Sequence, residues 1–296
     1  MGISIELNQR TVPVTAIVTA FQRIGQTIET IARIQACVPA PAEILVHVDG
    51  NNRACEAAIR EKYPHIDILC SEVCIGPGGG RNKLIAAAKY EIVASFDDDS
   101  YPLGGDYFER LMELFNCYSN ASIICARIFN RGEAVEPSTQ ENRWVADFCG
   151  GACAYKREHF LATSGYVPLA IAYGMEEVDL AIRVHGTGGR ILKSNWLHVY
   201  HDTDLERHSS PIITAQSIAN IALLVYLRYP PIYWCIGIAQ ILNRIFWLLQ
   251  NRRWKGIIRG LMLMPVHVWN NRSYKKRLDA ETIKSYLDLR RNPVSA

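Results

Sequence analysis

Ile92-Val93-Ala94-Ser95-Phe96-Asp97-Asp98-Asp99-Ser100 is a short apolar run that stops at three adjacent carboxylates. A run of Val, Ile and Phe this short, closed by Pro102 and the Gly104-Gly105 pair, predicts a strand buried on both faces, as in parallel sheets. The acids then sit at its carboxyl end, the edge of an open α/β sheet where ligands bind. Side chains alternate along a strand, so Asp97 and Asp99 are expected on one face and Asp98 on the other. Two ionised carboxylates about 6 Å apart repel by roughly 3 kcal/mol at an effective dielectric near 20. A hard cation with oxygen ligands, Mg2+ or Mn2+ bridging a diphosphate, removes that cost. A solvated turn capping a helix near Asp106 needs one acid, not three.

Upstream, Val14 to Ala20 is a β-branched run, followed by Ile24, Ile28, Ile31 and Ile34 at helical spacing. Glu43 to Gly50 reads as a second strand ending in Asp49, with a helix from Ala54 to Lys62, and Ile66 to Cys70 as a short third strand. Strands alternating with helices predict an α/β fold with a mostly parallel sheet and helices on both faces. Gly76-Pro77-Gly78-Gly79-Gly80 matches neither the P-loop nor the dinucleotide fingerprint. It reads as a flexible loop before a helix from Arg81 to Tyr90, either a plain connection or a place where backbone amides and Arg81 approach an anion.

Downstream, Phe108, Leu111, Leu114 and Phe115 mark an amphipathic helix and Ser122 to Ile128 a strand. Residues 130–147 are polar and irregular, with Trp144 among them, and read as an acceptor-side loop. Cys149 to Tyr155 is a small-residue strand in which Gly150 and Gly151 mark a close approach to the backbone, or a bulge. Glu176, Glu177 and Asp179 open a helix just after Gly174; the helix dipole favours acids there, so they serve either the helix or a site. Arg190 to Lys193 is a brief strand, with His198 and His201 beyond it.

The 296 residues can bury one full catalytic domain and an appendage. A net charge of +3, with no basic stripe among aromatics in the first two hundred residues, argues against nucleic acid as a partner. Nine scattered cysteines without a C-x-x-C pair fit a reducing compartment. Met1 to Arg10 lacks the basic and apolar regions of a secretory signal, so the active domain is expected to face the cytosol.

After Pro211 the composition changes. Residues 212–229, 232–249 and 254–269 are long apolar stretches; 232–249 has the length of a bilayer span, but Gln240, Asn243 and Arg244 interrupt its middle. Trp234, Trp247, Trp254 and Trp269 alternate with Arg252, Arg253, Lys255 and Arg259, the pattern of helices lying in a membrane interface. A helical subdomain packed on the sheet, or a homo-oligomer interface, is the alternative.

Taken together, Val14 to Ala20, Val48-Asp49-Gly50, Arg81-Asn82, Phe96 to Asp99, Gly150-Gly151, Glu176 to Leu180 with Arg183, and His201 resemble the motif series of the family 2 glycosyltransferases. The resemblance covers the first two hundred residues. It implies a GT-A fold over residues 10–210 and an inverting enzyme of polysaccharide biosynthesis that uses a nucleotide-sugar donor (UDP-, GDP- or dTDP-linked) and a lipid-linked or glycan acceptor; residues 211–296 are, by their composition, expected to form a helical, membrane-associating extension. By that resemblance Asp49, Arg81, Asn82, Asp97 and Asp98 bind the nucleotide sugar, and Asp97, Asp99 and His201 hold a divalent cation, Mn2+ or Mg2+. Gly150, Gly151 and Trp144 lie on the acceptor side. The family's usual Glu-Asp is Glu176-Glu177 here, so the general base falls to Glu177, with Glu176 or Asp179 as alternatives. Two other functions fit the acid triplet: a D-x-D phosphotransfer enzyme with Asp97 as nucleophile, and a non-catalytic nucleotide-sugar-binding protein.

Overall fold

In a computed structural model, which describes residues 10–202 and 210–296, the stretch quoted first forms β4 (Ile92–Asp97) at the middle of a ten-stranded mixed sheet. The opening segment read for a leader lies, up to residue 9, outside the described residues. On one side of β4 come β1 (Thr11–Ala20), β2 (Ala40–Val48) and β3 (Asp67–Cys70), all parallel to it and separated by α1 (Ile24–Gln35), α2 (Arg53–Lys62) and α3 (Gly76–Ala87). On the other side β8 (Ala152–Lys156) runs antiparallel to both β4 and β6 (Ala121–Asn130), and β9 (Arg190–His201) returns parallel to β6. β7 (Asn142–Val145) and β10 (Val294–Ser295) close that edge, and β5 (Ser100–Pro102) pairs with the end of β9. The carboxyl ends of β1, β2, β4, β6 and β9 therefore share one edge of the sheet.

Alternation along β1 builds two cores. Val14, Ala16 and Val18 face α1, α2 and α4 (Tyr107–Cys117), packing with Ile31, Ile59, Phe108 and Leu111. Ile17 faces the other way, in a layer with Leu84 of α3, Leu180 of α6 (Glu176–Gly186), Leu223 of α7 (Pro211–Arg228) and Tyr286 of α10 (Ala280–Arg291). This is the GT-A architecture expected from the motif series.

Four local expectations change. The glycine cluster is no loop: α3 begins at Gly76, and Gly78 to Gly80 form its first turns. A Cβ on Gly80 would stand 2.5 Å from His47 Nδ1, so close packing onto β2 and not flexibility requires that glycine. The brief strand at Arg190 continues to His201 through an irregularity in its pairing with β6, which carries the histidine to the sheet edge. The region read as an acceptor-side loop contains β7, in which Trp144 is buried opposite Leu192 and stacked by Arg190. Finally, the residues after 210 are not all appendage. Leu223, Leu224 and Leu227 of α7 and Ile283, Tyr286 and Leu287 of α10 are core, and β10 extends the sheet.

Among the described residues, two segments are long and apolar enough to cross a membrane, Pro211–Arg228 and Pro231–Gln250. The first is mostly buried in the fold. Little of the second, which contains α8 (Trp234–Gln250), is buried, and with α9 (Ile257–Asn270) it presents Ile238, Leu242, Phe246, Ile258, Met262 and Trp269 outward.

Candidate functional site

The strand β4 ends at Asp97 and the next two acids turn away from it. Asp97 is partly exposed on the α3 side of the sheet, where Thr19 Oγ1 donates to its Oδ1 at 3.2 Å and the Arg81 guanidinium pairs with it. Asp98 and Asp99 are buried, and one guanidinium, that of Arg23 at the start of α1, bridges both. Burial pushes the Asp98 carboxyl up to about 6 against the opposing pull of Arg23. Burial acts on Asp99 in the same direction, but His201 and Arg23 outweigh it and hold that carboxyl below its usual value. His201 Nε2 lies 3.3 Å from Asp99 Oδ1.

Ligand atoms of Asp97, Asp99 and His201 all lie within 4.8 Å of one another. The buried Oδ1 of Asp99 makes no well-formed hydrogen bond and has only the His201 ring 3.3 Å away, an arrangement that a cation seated between them would satisfy. Two carboxylates and an imidazole form a donor set suited to Mn2+ and able to take Mg2+. The residues present fit a divalent cation.

Arg81 is the hub of the site. It is completely buried, its Nε donates to Ser95 Oγ at 3.0 Å, and it spans Asp97 on one side and Glu176 Oε1, 3.4 Å away, on the other. Desolvating a guanidinium this deeply is tolerable only with such acid partners around it. Gly150 packs on it so tightly that a Cβ would fall 2.8 Å from Arg81 Cζ. Burial and the Glu177 charge push Glu176 up to about 8, and its Oε2 is buried without a partner. Glu177, one residue further along α6, is less covered, and Gly150 N donates to its Oε1 at 3.4 Å. Burial raises its carboxyl also, with Arg81 opposing.

The structure thus brings Asp97, Asp98, Asp99, His201, Arg81, Gly150, Gly151, Glu176 and Glu177 to one edge. It assigns other work to four residues singled out in the sequence. Asp179 is sealed between Arg183 and Arg228, an ion triad in the core, and does not face the cleft. Asn82 uses both ends of its amide on the backbone of Tyr166, at 2.9 and 2.8 Å, and so clamps a loop. The Asp49 carboxylate accepts from Ile75 N and Gly76 N at 3.0 and 2.8 Å, capping α3. Trp144 lies opposite Leu192, toward the end of β9 remote from His201. Arg23 escaped the sequence reading, since an arginine entering a helix carries no local sign of acids that follow 75 and 76 residues later.

The chain matches the model described as "Glycosyl transferase family 2" over residues 15–163, half its length. It belongs to glycosyl transferase family 2. A second model, "N-terminal domain of galactosyltransferase", matches residues 131–203, which include His201. A search of curated proteins by sequence finds no match. Among solved structures, this family 2 chain is similar to mannosyltransferase PcManGT from Pyrobaculum calidifontis in complex with GDP-Man and Mn2+. Identity is 16%, the TM-score is 0.58, and 95% of this chain and 86% of that one are covered. S. aureus TarS 1-349 in complex with UDP-GlcNAc gives 14% identity and a TM-score of 0.58, covering 94% of this chain and 92% of that one. GalNAc-T7 with UDP, GalNAc and Mn2+ gives 15% and 0.58 over 76% of this chain, which spans only 49% of that longer one. At such identities the likeness shows the GT-A fold. Membership of family 2 sets aside the phosphotransfer reading of the acid triplet.

Proposed function

We propose that this chain is a metal-dependent, inverting glycosyltransferase that moves a sugar from a UDP-, GDP- or dTDP-linked donor to a hydroxyl of a lipid-linked or glycan acceptor, in polysaccharide biosynthesis. The observation that carries the reading is the convergence of two groups on the buried Arg81: the Asp97, Asp99 and His201 triad on one side, and the carboxylate pair at the start of α6 on the other. Asp97, Asp99 and His201 hold the cation. A divalent cation there supplies Lewis-acid stabilisation of the charge that develops on the departing diphosphate. Glu177, half-buried beside Gly150, takes the acceptor proton as the acceptor oxygen bonds to the anomeric carbon and the bond to the diphosphate breaks. Nucleoside diphosphate leaves on the opposite face, and one displacement inverts the centre. Arg81 positions Asp97 and Glu176, and burial beside Glu177 raises the Glu176 carboxyl to about 8, which favours its protonated form more than in an ordinary carboxylate. The outward apolar face of α8 and α9 favours a peripheral position on the inner face of the membrane over a free cytosolic one.

Incubation with UDP-, GDP- and dTDP-sugars and Mn2+, read by nucleoside diphosphate release and by proton NMR of the anomeric product, tests this. Release of nucleoside diphosphate that EDTA stops, with an inverted product, is expected. Release of inorganic phosphate, or binding without turnover, would overturn it.

A further inference from the structure

A pocket of about 530 Å3 lies between the start of α6 and helices α7, α8 and α10. Gly174 and Val178, which flank the Glu176-Glu177 pair in sequence, form one wall, Arg244 and Trp247 of α8 contribute another, and Arg290 of α10 also lines it. The pocket therefore touches the same first turn of α6 that carries the carboxylate pair. Its chemistry is cationic. Arg244 is partly buried, donates to Ser217 Oγ at 3.2 Å, and lies over the rings of Tyr173 and Trp247 with centroids at 5.7 and 4.6 Å. No carboxylate among the described residues forms an ion pair with Arg244. Arg290 shares its Nε with Asp147 at 2.8 Å. A half-buried guanidinium with no carboxylate partner is placed to accept an anion through charge-assisted hydrogen bonds.

The same helix turns from this pocket to a lipid-like surface. Phe246 lines the pocket and also belongs to the stripe Ile238, Leu242, Phe246 and Leu249, each more than half exposed and spaced as one helical face. An exposed apolar face of this size needs a cover. Around it, residues 229–278 contain nine Lys and Arg and not one Asp or Glu. That one-sided charge is complementary to an anionic headgroup layer and not to a mixed-charge protein surface.

We propose that the pocket takes the phosphate of a lipid-carried acceptor, whose hydrocarbon chain leaves past Phe246 along the exposed face of α8. The inference rests on the glycosyl-transfer reading and names its acceptor class. A sugar borne on that phosphate lies next to Glu177, and the basic connector Arg252, Arg253 and Lys255 rests among headgroups.

The full chain is floated with phosphatidylcholine vesicles that carry a few mole per cent of a polyprenyl phosphate, or phosphatidylglycerol at equal charge, with inorganic phosphate as the soluble probe. Wild type should bind the polyprenyl phosphate vesicles about tenfold more tightly than the phosphatidylglycerol ones. Arg244→Gln should lose that preference yet keep its phosphatidylglycerol binding and its melting temperature; Arg244→Lys should keep part of the preference. Equal binding to both vesicles, an Arg244→Gln variant that retains the preference, inorganic phosphate binding without vesicle binding, or a dimer that covers α8 and ignores vesicles overturns the proposal. If instead no donor is turned over while the vesicle preference stands, it is the glycosyl-transfer reading that has failed.

Discussion

Gly151 lies against the Asp97 carboxylate: a Cβ at that position would stand 2.7 Å from Asp97 Cγ and nearer still to Oδ2. The contact is set by the pairing of β8 with β4 and by Ser100, whose hydroxyl accepts from Asp97 N at 2.7 Å and donates to Gly151 O at 2.6 Å. Alanine at 151 must therefore move the carboxylate or the strand. Gly151→Ala should lower Mn2+ affinity and nucleoside diphosphate release together, at a stability cost of about 1–3 kcal/mol. Isothermal titration with Mn2+ and a thermal melt check it; unchanged Mn2+ affinity would contradict the expectation that the displaced atom is the Asp97 carboxylate in its role as ligand.

The two adjacent glutamates should respond differently. Glu177→Gln removes the proton acceptor, so kcat should fall about 10²–10⁴-fold while donor affinity is preserved. Glu176→Gln replaces a carboxyl that burial and its neighbour push up to about 8, and so mimics the protonated form present at pH 7. Its kcat should stay within about tenfold of wild type. Steady-state kinetics on the two variants decide the assignment, and a reversed order would give the base to Glu176.

Asp179→Asn should act on stability and not on chemistry. The change leaves Arg183 and Arg228 buried with no anionic partner in the triad, a loss of about 3–5 kcal/mol. Urea unfolding should show it, and the folded fraction should keep its kcat. A fully stable but inactive Asp179→Asn protein would return this residue to the catalytic set.

His47 should make the fold acid-sensitive. Burial holds its imidazole down at about 4, with Ser71 Oγ 2.7 Å from Nε2 and the Gly80 backbone packed on the other edge. The unfolded chain binds the proton near 6.5. Its contribution is therefore complete above about pH 6.5 and is lost as pH falls toward 4, by up to about 3 kcal/mol. Urea midpoints measured across that window should decline in wild type and decline less in His47→Gln.

Local patterns made the sheet and the acid triplet legible, because an apolar run closed by turn residues is a short-range signal. Roles fixed by distant partners were not. Asp179 looks like any acid in a first helical turn until Arg228, 49 residues on, pairs with it. Asn82 looks like a ligand-facing amide until the backbone of Tyr166, 84 residues away, takes both its ends. The glycine cluster misled for a related reason: glycine permits both a turn and a tight helix contact, and only the position of His47 distinguishes them. For Trp144, a single buried aromatic in a polar stretch marked a strand with no repeating pattern to announce it.

The outward-facing pair α8 and α9 sits between α7 and α10, which are both core elements. Tyr286 of α10 donates to Asp147, Arg290 pairs with the same carboxylate, and β10 beyond them is a strand of the main sheet. The oily surface is therefore an internal excursion of the chain, not a removable tail. Trimming the protein from its carboxyl terminus to obtain a well-behaved soluble form would strip away the support under Asp147 before reaching Trp269. A soluble form has to be obtained by resurfacing, with polar substitutions at Leu242, Phe246 and Met262, and the scissors kept away.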